Sequence, residues 1–221
     1  MRHLQGISAC DDYNDPAVVR PMRLTSSPCA PNAGEIRAAM GRAIPDVIAP
    51  GLTVLFCGVN PGLYSAATRC HFARPGNRFW PALHIAGFTT RLLAPHESHE
   101  LLGSGYGITS LVRRATATVR EVAPPELVAG RRRLVRMVRT YRPRWVAVFG
   151  VGAYRTAFAR LSAQVGQQDA LGDSSVWLLP SPSGANGSYP LVDLTRELRA
   201  FYYAVNQSEV AQRDLQVRSG S

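Results

Sequence analysis

Lysine is absent. All 25 basic side chains of the 221-residue chain are arginine, set against 15 acidic residues, for a net charge of +10. A GC-rich coding sequence explains arginine in place of lysine, but not the excess of base over acid. That excess favours a polyanionic partner, nucleic acid before others, although charge speaks to association and not to fold. The four cysteines, Cys10, Cys29, Cys57 and Cys70, form no CxxC pair and have no histidine at ligand spacing. Neither a zinc nor an iron–sulfur site is therefore expected. Cys57 closes an apolar run and reads as a buried free thiol. No apolar stretch approaches the roughly 20 residues of a membrane span. Arg2 is followed by polar and acidic residues rather than the apolar core of a secretory signal. A soluble, cytoplasmic protein without a membrane partner is expected, and a monomer.

What is present is a substantial apolar complement, 46% of residues. A chain of this length can bury roughly 70% of its unfolded surface in one body. Residues 1–45 are punctuated by Pro16, Pro21, Pro28, Pro31 and Pro45 and lack sustained periodicity beyond a short helix over 35–42. They read as a partly disordered extension, and 206–221 as a flexible tail. The domain between, 46–205, alternates. Apolar runs at 53–57, 107–112, 145–149 and 176–179 predict strands. Helical patterns lie at 77–86, 124–141 and 151–161, and a last stripe is formed by Leu191, Leu194, Leu198, Phe201 and Val205. Alternating strands and helices imply right-handed crossovers and a parallel sheet covered on both faces, an α/β three-layer αβα sandwich. In such sheets ligands bind beyond the carboxyl ends of the strands. The loops after the first and last strands, 58–62 and 181–188, both leave from that edge.

The first of these loops, Gly58-Val59-Asn60-Pro61-Gly62, is ordinary turn chemistry when taken alone. It is followed by an arginine-rich loop with Arg69, Phe72, Arg74 and Arg78, then by Phe79-Trp80. The last strand leads into Pro180-Ser181-Pro182-Ser183-Gly184. In this order and spacing FCGVNPGLYSA (56–66), FARPGNRFW (72–80), AGFT (86–89) and the closing Pro-Ser-Gly resemble the mismatch-specific uracil-DNA glycosylases and their thymine-DNA glycosylase relatives. The resemblance spans about residues 45–205. It implies a four-stranded parallel sheet, no metal, no cofactor, and hydrolysis of a uracil flipped out of DNA opposite guanine.

By the same resemblance Asn60 stands where the family positions water, and Phe72 where an aromatic stacks on the flipped base. Gly58, Val59, Ser65 and Ser181 stand around that base. Ser183, Gly184, Ala185 and Asn186 stand where a loop wedges into the vacated stack, and Arg74 and Arg78 beside DNA. The residue types suit the chemistry. Extruding a base costs a few kcal/mol, least for a mismatched pair. Stacking on an aromatic returns roughly 1–3 kcal/mol. An asparagine is no strong base, but its amide oxygen can hold water while charge develops on the sugar.

The sequence also departs from the family. Ser181 replaces an Asn, and the Leu and Arg that fill the gap and touch the orphaned guanine are missing from Gly184-Ala185-Asn186-Gly187. Ser110 takes the place of a Lys used by related enzymes. A relaxed dependence on the opposite base follows, with single-stranded uracil as a usable substrate. His71 reads as a solvated imidazole, and Arg131–Arg133 as a solvated helix face. Trp80, Trp145 and Trp177 read as core. The alternatives are a non-catalytic module that binds damaged or single-stranded nucleic acid, and a small-molecule nucleoside hydrolase on the same sheet.

Overall fold

The computed structural model describes residues 30–184 and 189–219. Most of the N-terminal extension, together with Ala185 and Asn186, lies outside the described residues.

Five strands form one sheet: β1 (Val54–Gly58), β2 (Tyr106–Ser110), β3 (Trp145–Phe149), β4 (Gly166–Leu171) and β5 (Ser174–Leu179), in the order β2-β1-β3-β5-β4. The first four in that order are parallel, and β4 joins β5 antiparallel. Every residue of β1 and β3 is buried, as a strand covered on both faces requires. Side chains alternate between two cores along each strand. Val54, Phe56, Ala147, Phe149 and Leu179 pack with α3 (Phe79–Ala86) and the last helix, α6 (Leu191–Ser219). Leu55, Cys57, Val146, Val148, Val176 and Leu178 face α4 (Pro124–Tyr141) and α5 (Val151–Phe158). The three-layer αβα architecture is thus the one expected. Cys57 is buried, and desolvation pushes its thiol up to about 12, so it is an inert core residue. Trp80 and Trp145 are buried in the first core, and Trp177 packs against it half-exposed.

The expected four-stranded sheet has a fifth member. β4 reads GQQDAL, and its polar residues carry no apolar alternation because it is an edge strand with half its side chains in solvent. Two boundaries also move. The last helix runs on to Ser219 instead of yielding to a tail near 206. The short N-terminal helix is α1 (Ala33–Ala38), capped by Asn32, whose side chain accepts from Gly34 and Glu35 N–H while Glu35 reaches back to Asn32 N–H. Ala39 and Ile44 then pack with Ala66 and Ala115, so residues 39–44 are docked on the domain. Val47 exchanges two backbone hydrogen bonds with Ile108 of β2, at 2.9 and 2.7 Å.

Candidate active site

The carboxyl ends of β1, β2 and β5 meet at one edge of the sheet. β1 ends at Gly58, and the turn through Pro61 leads into α2 (Leu63–Thr68). The segment after β2 runs alongside this turn. Leu111, Val112 and Thr116 N–H donate to the carbonyls of Gly58, Val59 and Pro61 at 2.9, 2.8 and 3.2 Å. The turn is thereby held as firmly as a strand.

Asn60 is half-buried, and its amide is oriented by its neighbours. Nδ2 donates to Thr116 Oγ1 at 2.7 Å, to Arg114 O at 3.2 Å and to Pro61 O at 3.1 Å. Two of these partners are carbonyls, which only accept. Thr116 Oγ1 sends its own proton to Thr118 O at 2.7 Å, so it too accepts from Asn60. Only one assignment of the amide satisfies all three, with nitrogen toward residues 114–116. Oδ1 is turned the other way and has no partner among the described residues. Arg114 is clamped in turn by Glu126, with Nε–Oε1 and Nη2–Oε2 at 2.5 and 2.7 Å. Those bonds, followed by one from Ala123 N–H, hold the Glu126 carboxyl down at about 2, so it is ionised at any working pH. It is therefore a fastener of the Asn60 anchor and not a proton donor. Thr116 and the Arg114–Glu126 clamp escaped the sequence reading, because no local pattern signals a bond between residues 56 positions apart.

Phe72 lies across the same edge. Its ring is stacked on Phe79, centroids 4.1 Å apart and planes 18° off parallel, and stands edge-on to Phe149. The backbone takes a left-handed φ of 54° here, a conformation that costs a side-chain-bearing residue roughly 1–3 kcal/mol and persists only where its surroundings impose it. The ring lies so close to Gly58 that a Cβ there would come within 3.2 Å of Cζ. Gly58 is thus glycine because the aromatic lies on its backbone. Ser65, expected at the base, is buried, and its Oγ accepts from Ala73 N–H at 3.0 Å, tying α2 to the loop that carries Phe72. Val59 is half-buried beside Asn60. Ser110 Oγ is close to Gly58 as well, so the position where relatives use a lysine is neutral.

His71 departs from expectation. It is 4% exposed, and its Nε2–H donates to Pro45 O at 2.9 Å. Burial is the main cause that lowers its pKa and keeps it neutral. It anchors the loop from below, as does Trp80, whose Nε1–H donates to His71 O. Arg133 is likewise no solvated residue: it pairs with Asp46 and donates to Ser110 O at 2.8 Å.

The last loop leans on the Phe72 loop. Arg78 N–H donates to Pro182 O at 2.9 Å, and the Arg78 guanidinium donates to Ser183 O at 2.7 Å and to Tyr189 O. A Cβ on Gly184 would lie 2.8 Å from Gly76 O, so the two loops touch through bare backbone. Arg78, expected beside DNA, donates to Ser183 O and Tyr189 O and so joins the described residues on either side of 185–188. Arg74 is exposed, with no side-chain partner among the described residues. Ser181 is half-buried and accepts weakly from Ser183 N–H. Among the described residues no three His, Cys, Asp or Glu side chains are grouped so as to hold a metal ion, and no helix is long and apolar enough to cross a membrane.

Comparison with known proteins bears on this edge of the sheet. A solution NMR structure from Methanosarcina acetivorans, described as a "putative Uracil DNA glycosylase", is 17% identical and aligns over 73% of this chain and 98% of its own, with a TM-score of 0.49. That likeness is too weak to carry weight. The family profile of the uracil DNA glycosylase superfamily matches residues 45–203, most of the chain and every element described above from β1 to the middle of α6. On that match this chain belongs to the uracil DNA glycosylase superfamily, whose members are hydrolases acting on bases in DNA.

Proposed function

We propose that this protein is a monofunctional glycosylase that hydrolyses the N-glycosidic bond of uracil flipped out of DNA. A guanine–uracil pair is the favoured duplex substrate, and single-stranded uracil is accepted. The observation that carries the reading is the forced orientation of Asn60. With Nδ2 held by Thr116 Oγ1, Arg114 O and Pro61 O, Oδ1 is left to accept a proton of an attacking water. Asn60 takes up no proton itself. Its contribution is to hold the water while the bond to the base lengthens and the sugar becomes cationic. Phe72 stacks the base, and backbone N–H groups of the turn after β1 are the donors for the charge that develops on the leaving pyrimidine. Among the described residues the carboxylates nearest this edge are engaged: Asp46 is paired with Arg133, and Glu126 with Arg114.

The mismatch preference follows from the ease of opening a wobble pair, and the tolerance of single strands from the absence of a bulky side chain at 184–187. The test is single-turnover release of uracil, in chelator, from oligonucleotides carrying it opposite guanine, opposite adenine and unpaired. Release should be fastest from the mismatch and measurable from the single strand. Inactivity on all three, with binding intact, would replace this reading by the non-catalytic module. Cleavage confined to the mismatch would show that another segment reads the opposite base.

A further inference from the structure

Eight arginines elsewhere in the molecule are spoken for, while others, Arg74 and Arg132 among them, are exposed. Arg91, Arg114, Arg133, Arg160 and Arg196 pair with carboxylates, while Arg78, Arg155 and Arg199 donate to backbone carbonyls. Three that are not spoken for line one cleft. Arg42, Arg69 and Arg113 are exposed, have no side-chain partner among the described residues, and surround a cleft of about 370 Å³ walled by Pro45, Ala66 and Ala67. That volume lies at the lower end of the roughly 300–1,000 Å³ of small-ligand sites. Three guanidiniums around apolar walls, with no acid lining the cleft, are matched to an anion rich in acceptor oxygens.

The cleft is joined to the candidate active site through its backbone. Ala115 N–H donates to Arg42 O at 2.9 Å, and the residues on either side, Arg114 and Thr116, are the ones that hold Asn60. Pro45 O accepts from His71, which precedes Phe72. Arg69 ends the helix that starts just past Asn60, in a left-handed conformation that stops α2 there. The cleft is therefore attached on one side to the anchor of Asn60 and on the other to the loop carrying Phe72.

We infer that this cleft seats a backbone phosphodiester of the DNA strand that presents the flipped nucleotide, a subsite distinct from the one that holds the base. The inference rests on the glycosylase reading for its choice of polyanion. It predicts that most of the grip on a strand without a complement comes from here, because a single strand offers no opposed base for the last loop to meet.

The experiment measures equilibrium binding of single-stranded, uracil-containing oligonucleotides in which one phosphodiester at a time is replaced by an uncharged methylphosphonate. The native protein is compared with the variant Arg42→Gln, Arg69→Gln, Arg113→Gln and with a control of equal charge loss on α4, Arg132→Gln, Arg136→Gln, Arg139→Gln. The native protein and the control should lose about tenfold in affinity at one linkage near the uracil, and the cleft variant should lose nothing further at that linkage. The slope of log K against log salt should fall by about 0.7 in the cleft variant, as for one phosphate contact in a single strand. Inorganic phosphate should compete with the native protein only at concentrations far above those of the oligonucleotide; equal competition would mark the cleft as a free-phosphate site and overturn the subsite. Equal weakening by the cleft and control variants at every linkage would also overturn it. Uracil release, measured in the same samples, reports separately on the glycosylase reading, since the linkage coupling is a binding result and does not require cleavage.

Discussion

The two loops that reach the candidate site are held in different ways. The turn after β1 lies against the chain that follows β2, with three of its carbonyls and one side chain taken up by residues 111–116, most of them buried. Among the described residues the loop after β5 is held chiefly by Arg78, through its backbone N–H to Pro182 O and its guanidinium to Ser183 O, and it touches the Phe72 loop backbone to backbone at Gly184 and Gly76. The first arrangement suits a group that must hold one atom in one place. The second suits a segment that meets DNA of varying shape. On the proposed reading chemistry and recognition lie in separate loops, and substitutions should affect one without the other.

The sharpest break is Asn60→Ala. It removes the oxygen proposed to hold the water and should lower the single-turnover rate by at least about 10²-fold while DNA affinity stays near native, the mark of a group acting in the transition state. A variant keeping most of its rate would dissolve the distinction, since the rigid turn would then hold nothing of consequence. Thr116→Val is the next test. It deletes the acceptor that aims the Asn60 amide, and the rate should fall about tenfold, equivalent to about 1.4 kcal/mol. Thr116→Ser should restore it. A purely structural role would show instead as a lower melting temperature with an unchanged rate per folded molecule.

Arg78→Met probes the other loop. Two bonds from its guanidinium to the loop carbonyls are lost, and duplex affinity should drop by about tenfold or less, within the range for hydrogen bonds from a charged donor. The single-turnover rate on bound single strands should be unaffected. A matching fall in that rate would mean that the last loop also places the base.

The smallest effect concerns pH and belongs to the loop that carries Phe72. His71 is kept neutral by burial, below its ordinary 6.5. The unfolded chain thus binds a proton that the folded one refuses, so stability is complete above about pH 6.5 and is lost as pH falls below it. Thermal melts between pH 7.5 and 5 should show this loss, and His71→Gln, which keeps a donor for Pro45 O, should flatten it. An unchanged slope in the variant would place the acid sensitivity elsewhere.

The β1, β3 and β5 strands were legible because buried parallel strands must be continuously apolar, and 53–57, 145–149 and 176–179 are. β4 was not, because an edge strand of Gln and Asp has the composition of a loop. Asn60 and Phe72 could be singled out by motif, yet their surroundings could not. Arg78 and Arg74 look alike in sequence, and only the placement of Pro182, Ser183 and Tyr189 makes one a strut while the other is exposed. His71 follows the same rule: it is buried, and its ring is held by Pro45 O, 26 positions away in the chain. Charge and residue type are local properties, whereas being paired or buried is a property of the assembled chain.

The margins of the sheet carry a consequence of their own. An open parallel sheet ends in two rows of unpaired amides, which invite a second chain to add a strand. Here β2 is shielded by Val47, which takes both the N–H and the carbonyl of Ile108. At the far side β4 runs against the direction of its neighbours, is largely polar, and loses register between Gln168 and Leu171. Neither margin offers a straight apolar ribbon for templated growth. Aggregation of this protein on heating should therefore wait for the sheet itself to open, and should follow global unfolding instead of preceding it.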